Sequence, residues 1–135
     1  MRIVLDTNVL VSALIRKGKP RKLLLEIIEE HQLILSREIL EEFVRTCSHP
    51  KILRYVDRKD VARFLKDVAS TAEIVKIRSK FKAVKEDPDD DMILRTCSDG
   101  RARYLVSGDN HLLELEKFRR ILIVTVDEML SILQE

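Results

Sequence analysis

Four acidic residues, Asp6, Glu42, Asp90 and Asp109, carry the chemistry this chain is able to do. Asp6 closes the apolar run Ile3-Val4-Leu5, and Asp109 follows Tyr104-Leu105-Val106-Ser107-Gly108. Asp90 lies within Asp87-Pro88-Asp89-Asp90-Asp91, and Glu42 lies in a segment rich in Ile, Leu and Phe. Each stands where a strand ends or along a helix that can face one common cleft. Several carboxylates in one pocket do not all stay ionised without a counter-charge. A divalent cation supplies that charge, and hard ions such as Mg²⁺ prefer oxygen ligands. The implied chemistry is metal-assisted phosphodiester hydrolysis.

The elements that position these acids follow from the pattern. Arg2 to Leu5, Leu33 to Leu35, Glu73 to Ile77, Tyr104 to Ser107 and Ile121 to Thr125 read as strands. Helices are expected over Asn8 to Ile15, around Leu23 to Ile28, from the N-cap Ser36 to Cys47, over 58 to 71, from Pro88 to Asp99, over Asn110 to Leu115 and over Asp127 to Leu133. Gly18 to Pro20, His49-Pro50 and Gly100 punctuate them. Residues 78 to 86 read as a basic, mobile connection. Strands alternating with helices imply an α/β fold with a parallel sheet covered on both faces. Ligands in such sheets bind beyond the strand C-termini, where the strand order reverses. In a five-stranded 3-2-1-4-5 order the first and fourth strands are neighbours, and Asp6 and Asp109 meet at that crevice.

Within the acidic cluster, helical geometry discriminates. Ile93, Leu94 and Cys97 follow Asp90 by three, four and seven residues, so Asp90 projects towards the buried stripe. Asp91 projects roughly the other way, and Asp89 lies near the inward face as an alternate ligand. Asp87 with Pro88 fits an N-cap and first helical position. In the middle helix, Ile39, Leu40, Phe43, Val44 and Cys47 form the apolar stripe. Glu41 and Glu42 flank it at similar angles, so the pattern does not choose between them; Glu38 points most nearly to solvent. Asp6 and Asp109 also suit capping or turn roles.

With 135 residues, 45% hydrophobic and 36% charged, one domain over 1–135 is expected. No apolar run approaches a membrane span, and the N-terminus reads as a strand rather than a signal peptide. The default location is cytoplasmic. Cys47 and Cys97 fall on apolar faces and read as buried thiols. His31, His49 and His111 show no ligand spacing. A net charge of +2 does not itself announce a nucleic-acid binder. Two basic clusters do offer phosphate contacts: Arg16, Lys17, Lys19, Arg21 and Lys22, then Lys76, Arg78, Lys80, Lys82 and Lys85. With only 4% aromatics and no Trp, extensive base-stacking platforms are not expected.

Val4-Leu5-Asp6-Thr7-Asn8-Val9-Leu10, Ser36 to Phe43, Asp87 to Leu94, and Ser107-Gly108-Asp109-Asn110-His111-Leu112-Leu113, in this order, resemble a PIN-domain ribonuclease. The resemblance covers nearly the whole chain and is greatest to the VapC-like toxin branch of prokaryotic toxin–antitoxin pairs. It implies a three-layer α/β/α sandwich and an Mg²⁺- or Mn²⁺-dependent endoribonuclease. The implied metal and catalytic residues are Asp6, Glu42, Asp90 and Asp109, which selects Glu42 over Glu41. Thr7, Asn8, Ser107 and Asn110 match polar positions that orient ligands or water, and Asp91 is a place for a further metal contact. The implied partners are single-stranded or loop RNA, an antitoxin protein and a second copy in a homodimer. Two other readings stand beside it: an RNA-processing or non-catalytic RNA-binding PIN-like module, and a phosphoacceptor signalling domain. Against the latter, the first strand ends in a single Asp, and the third ends in Lys76-Ile77-Arg78.

Overall fold

The computed structural model describes residues 1–84 and 87–135. Its centre is a sheet of three runs with no polar interruption: β1 (Arg2–Leu5), β2 (Gln32–Ser36) and β4 (Tyr104–Val106). Ile3 to Leu5, Leu33 to Leu35 and Tyr104 to Val106 are buried at every position. Burial without alternation means that both faces are covered, as in parallel sheets between helical layers. β3 (Glu73–Val75) and β6 (Ile121–Val124) flank them, and the order is β3-β2-β1-β4-β6-β5. The first five strands in that order are parallel. They match the expected 3-2-1-4-5 arrangement, the expected fifth strand being β6.

The sixth strand, β5 (Lys117–Phe118), was not anticipated. It pairs antiparallel with β6, Lys117 facing Leu122 and Phe118 facing Ile121. Two residues carry no readable periodicity, so only the turn through Arg119 and Arg120 reveals the hairpin. The third strand is also shorter than expected, ending at Val75.

The helices are α1 (Thr7–Ile15), α2 (Lys19–Glu30), α3 (Arg37–Cys47), α4 (Pro50–Leu53), α5 (Arg58–Thr71), α6 (Pro88–Asp99), α7 (Asn110–Leu113) and α8 (Val126–Leu133). The short α4 replaces the simple break expected at His49-Pro50; Pro50 opens it and the His49 ring accepts from the Lys51 amide. α2 packs on α1 and α8, α6 crosses β1 and β2, and α3 contacts both α1 and α6. In α3 the expected stripe holds at Ile39, Phe43 and Cys47, but Val44 is 40% exposed. Glu38, expected to face solvent, is half-buried and lines a groove with Ile74 to Ile77.

Close approach of α6 to the sheet needs Gly100. A Cβ there would lie 2.5 Å from Ile34 Cγ2 and 2.9 Å from the Thr96 carbonyl oxygen. A buried hydroxyl pair, Ser36 Oγ to Thr96 Oγ1 at 2.8 Å, ties the end of β2 to the same helix. These contacts fix α6, and with it Asp90, over the C-terminal edge of the sheet.

Candidate metal centre

Sheet register brings two of the four acids together. Leu5 is paired with Val106, so the next residues, Asp6 and Ser107, leave neighbouring strands side by side. The Asp6 amide donates to the Val106 carbonyl (3.1 Å). Asp6 Oδ1 accepts from the Val9 amide (3.0 Å), and the Ser107 hydroxyl donates to Asp6 Oδ2. Ser107 Oγ also accepts from the Asp109 amide (3.0 Å). Asp6 is therefore both an N-cap and a cleft residue; the two roles use different lone pairs of one carboxylate. Asp109 is likewise the N-cap of α7, accepting from the His111 amide at 2.7 Å.

Asp90 comes from the first turn of α6 and is 3% exposed. Glu42 comes from α3, half-buried, whereas Glu41 is exposed and pairs with Arg37 at 3.2 Å. All four expected residues line one cleft of about 180 Å³, with Thr7, Asn8, Asp87, Asp89 and Ile93. The tie between Glu41 and Glu42 is resolved geometrically: only Glu42 reaches the cleft.

The tightest group differs from the expected set. One ligand atom each from Asp87, Asp90, Asp109 and His111 lies within 4.8 Å of the others. For Asp87 the sequence predicts a capping role, which it also performs, accepting from the amides of Asp89 (3.0 Å) and Asp90 (3.4 Å). Its spacing of three residues from Asp90 places both on one helical face. His111 is exposed, with Nδ1 3.9 Å from Asp109 Oδ1. Its nearness to Asp109 in sequence was the one available signal.

Electrostatics reflect the crowding. Burial pushes the Asp90 carboxyl up to about 7, and Asp109 and Asp87 push in the same direction. Burial also raises Asp6, with Asp109 adding to it against the Ser107 and Val9 hydrogen bonds. Glu42 is raised mainly by burial, with Asp89 and Asp6 contributing. Among the described residues, Glu42 Oε2, Asp90 Oδ2 and Thr7 Oγ1 are buried without a hydrogen-bond partner. Buried polar atoms are normally paired. Two orphaned carboxylate oxygens in an acidic cleft are the donor set that a hard divalent cation completes. The residues present therefore fit such an ion.

Asp91 does not join them. It does turn away from Asp90, but it is buried rather than solvent-facing, and its Oδ1 accepts from the amides of Ala83 (2.7 Å) and Val84 (2.8 Å). Asp99 similarly holds the amides of Arg78 (2.7 Å) and Ser79 (2.9 Å), and Arg95 donates to the Phe81 carbonyl. The connection expected to be mobile is therefore strapped along α6 from Arg78 to Val84. It presents Lys76, Arg78, Lys80 and Lys82 to solvent; Lys85 lies outside the described residues. In the other basic cluster, Arg21 is committed elsewhere. Its guanidinium donates to the carbonyls of Ala13 and Leu14 (both 2.8 Å), closing the end of α1. Lys19 pairs with Asp127 at 2.8 Å, both exposed. Arg16, Lys17 and Lys22 remain exposed. Cys47 and Cys97 are buried thiols as expected, both raised by burial, Cys47 to about 11.

An uncharacterized protein of Methanocaldococcus jannaschii is 29% identical over 119 residues, which are 85% of this chain and 75% of that protein. A chain in the crystal structure of VapBC2 from Rickettsia felis bound to a DNA fragment from their promoter has the same fold. It aligns with a TM-score of 0.66 at 16% identity, covering 93% of this chain and 98% of that one. The family model described as PIN domain matches residues 2–111, a stretch that holds every acid of the cleft. The chain belongs to the PIN-domain family.

Proposed function

We propose that this chain is a metal-dependent endoribonuclease, with Asp6, Glu42, Asp90 and Asp109 as its metal-binding and catalytic acids. The observation that carries the reading is the pair of buried, unpartnered oxygens, Glu42 Oε2 and Asp90 Oδ2, facing one acidic cleft in a PIN-family chain. The oxygen-rich donor set favours Mg²⁺ or Mn²⁺. When bound, such an ion supplies Lewis acidity towards a phosphate oxygen and lowers the pKa of water.

The chain's own residues do the positioning. Ser107 and the Val9 amide hold the Asp6 carboxylate at the strand end, so its remaining lone pairs face the cleft. Glu42 and Asp90 contribute the oxygens that have no other partner. Asp109, fixed by its cap to α7, closes the group, with Asp87 and the exposed His111 beside it. A cleft lined with carboxylates repels RNA phosphate unless their charge is neutralised, so the same arrangement couples substrate entry to cation binding.

The substrate is single-stranded or loop RNA, held mainly through its backbone. Exposed Lys76, Arg78, Lys80 and Lys82 on the strap, together with Arg16, Lys17 and Lys22, supply cations for it. The fold likeness to a chain of the VapBC2 structure supports a toxin role with an antitoxin protein as partner. A symmetric homodimer is the expected assembly, C2 pairs being the commonest. Among the described residues no helix is long and apolar enough to cross a membrane.

The deciding experiment is cleavage of a labelled RNA by the purified chain with Mg²⁺ or Mn²⁺, with excess EDTA, and with Asp6→Asn. Cleavage that requires the metal and is lost in Asp6→Asn is the expected result. Full activity in EDTA would overturn the reading.

A further inference from the structure

The geometry points to a second RNA-binding site, a cationic groove at the opposite end of the sheet from the acidic cleft, which takes the phosphate backbone of the substrate strand. The groove is about 800 Å³ and is lined by Arg101, Arg103, Lys117, Arg119 and Arg120 over an apolar floor that includes Ile121 and Leu122. It shares no lining residue with the cleft. Arg103 immediately precedes β4, whereas Asp109 lies beyond its far end, and Ile121 and Leu122 begin β6. The four steps from Arg103 to Ser107 at ~3.3 Å each put the two sites roughly 13 Å apart through the sheet.

Three features distinguish this groove from an ordinary solvated surface. First, among the described residues no carboxylate lines it. Two acids near it are engaged, Glu73 by Arg2 in a two-pronged pair and Asp99 by the amides of the strap, and the exposed Glu116, next to Lys117 in sequence, is not among the lining residues. The side chains of Arg101, Lys117 and Arg120 have no hydrogen-bond or ion-pair partner among the described residues. Second, two of the cations occupy left-handed backbone positions, Arg101 at φ 51° and Arg119 at φ 57°. Gly or Asn adopts that conformation with less strain. Arg101 stands just past the end of α6, where Gly is the usual residue, and there the helix dipole also favours a cation. The dipole gives no reason for Lys117, Arg119 or Arg120, which lie in the β5–β6 hairpin. Third, two guanidinium planes are set in place by aromatic rings. Arg119 lies 4.5 Å from the Phe81 ring centre and 5.2 Å from that of Phe118, with Nη1 donating to Ser98 Oγ at 2.9 Å. Arg103 lies 5.7 Å from the Tyr104 ring centre. Four of the five cations are arginines, whose planar fork matches phosphate oxygens.

The choice of RNA rests on the ribonuclease reading above; the existence of a polyanion site rests on the groove alone. A strand that enters the acidic cleft must pass around the sheet edge to reach the groove, so the site acts on long RNA and not on a fragment that fills the cleft. Its effect is on affinity, not on the chemical step.

The test compares the native chain with the triple variant Arg101→Asn, Lys117→Gln, Arg120→Gln. Asn tolerates the left-handed position, and none of the three side chains supports the core. A control variant, Lys51→Gln, Arg54→Gln, Lys59→Gln, removes the same charge from exposed positions in and beside α4 and α5. Thermal melts establish that all three proteins are folded. Binding of a fluorescent 20-nucleotide oligouridylate is measured in EDTA from 50 to 200 mM salt, and cleavage of a four-nucleotide RNA is measured with Mg²⁺. The expected result is at least tenfold weaker 20-mer binding in the groove variant only. Its log–log salt slope should be smaller by about 2, the change for three lost cations on a single strand. Cleavage of the four-nucleotide RNA should be unchanged. Binding within twofold of native, or an equal loss in the control, overturns the site. Displacement of the 20-mer by polyglutamate as readily as by polyuridylate overturns RNA as the occupant, in favour of an acidic protein segment. Because binding is read in EDTA, a protein that binds through the groove yet cuts nothing would refute the ribonuclease reading while leaving the groove intact.

Discussion

At the residue scale, Asp90 and Asp91 are adjacent in sequence and opposite in role. Asp90 is turned into the cleft with an unpartnered oxygen, whereas Asp91 accepts two strap amides. Helical spacing from Ile93, Leu94 and Cys97 made the inward direction of Asp90 legible. It did not reveal that the far side of the helix is covered, because the strap returns from about eight residues upstream. The raised Asp90 carboxyl, at about 7, carries a pH consequence. In the metal-free protein the folded state keeps a proton that the unfolded state has released above about pH 4. Stability therefore falls as pH rises from about 4 to about 7 on account of this group. Asp6 and Glu42 act in the same direction, and the lowered Asp99 and Glu73 act oppositely below about pH 4. Asp90→Asn should flatten the decline. Melting temperatures of the EDTA-treated native protein and Asp90→Asn at pH 5 and pH 7.5 check this; equal changes in both would exclude Asp90 as the source. The same logic separates Glu42 from Glu41, which periodicity left equivalent. What decides between them is the side of α3 that faces the strand ends, a tertiary fact. Glu42→Gln should reduce RNA cleavage at least a hundredfold. Glu41→Gln should leave activity within about twofold and, by loosening an exposed pair with Arg37, shift stability by ~0.5 kcal/mol or less. Reversed ranks in a cleavage assay would refute the assignment.

At the element scale, the site depends on how α6 is held. Gly100 lets its end approach Ile34, Thr96 joins it to β2 through Ser36, and Asp91, Arg95 and Asp99 bind the strap along its outer side. At the strap's end the Val84 carbonyl accepts from the amide of Asp87 (3.4 Å), the cap of α6 and a member of the tight acidic group. The strap's polar anchors come from positions 7 to 21 residues away, with no periodic signature, so the sequence reads as a free basic connection. Charge content alone cannot distinguish a carboxylate that faces solvent from one that caps backbone amides. Asp91→Ala leaves two partly buried amides without an acceptor, a loss of about 1–3 kcal/mol. Asp91→Asn retains an acceptor oxygen and should lose less. Amide hydrogen exchange should show faster exchange at Ala83 and Val84 in Asp91→Ala, with RNA cleavage falling because Asp87 and Asp90 lose their support. Unchanged protection at those two amides would show that the strap is held by Arg95 and Asp99 without Asp91.

At the scale of the whole molecule, a net charge of +2 conceals a strong separation. Carboxylates gather beyond the strand C-termini, and arginines gather at the other end of β4 and β6. The parallel strands were legible because continuous apolar runs identify them, whereas their order is a tertiary fact that local sequence does not prove; the supposed 3-2-1-4-5 order is the one found, and it brings Asp6 and Asp109 to one cleft. The basic end was not legible, since Arg101 to Arg103 and Lys117 to Arg120 are separated in sequence and meet only through the unanticipated hairpin of β5 and β6. The acidic end draws its members from β1, α3, α6 and the β4–α7 junction, so a cation that binds there links elements across the whole fold. A ligand bound only by the folded state stabilises it by about 2.7 kcal/mol at 100 times its dissociation constant. For a chain of this size each kcal/mol corresponds to roughly 3–5 °C in melting temperature. Saturating Mg²⁺ or Mn²⁺ should therefore raise the melting temperature of the native protein by roughly 10 °C, reversibly on adding EDTA. Asp90→Asn should lose most of that rise while melting cooperatively on its own, since it neutralises a buried charge rather than opening a cavity. A rise of equal size in Asp90→Asn would mean that the cation binds elsewhere on the molecule, and the acidic cleft would lose its assignment as the metal centre.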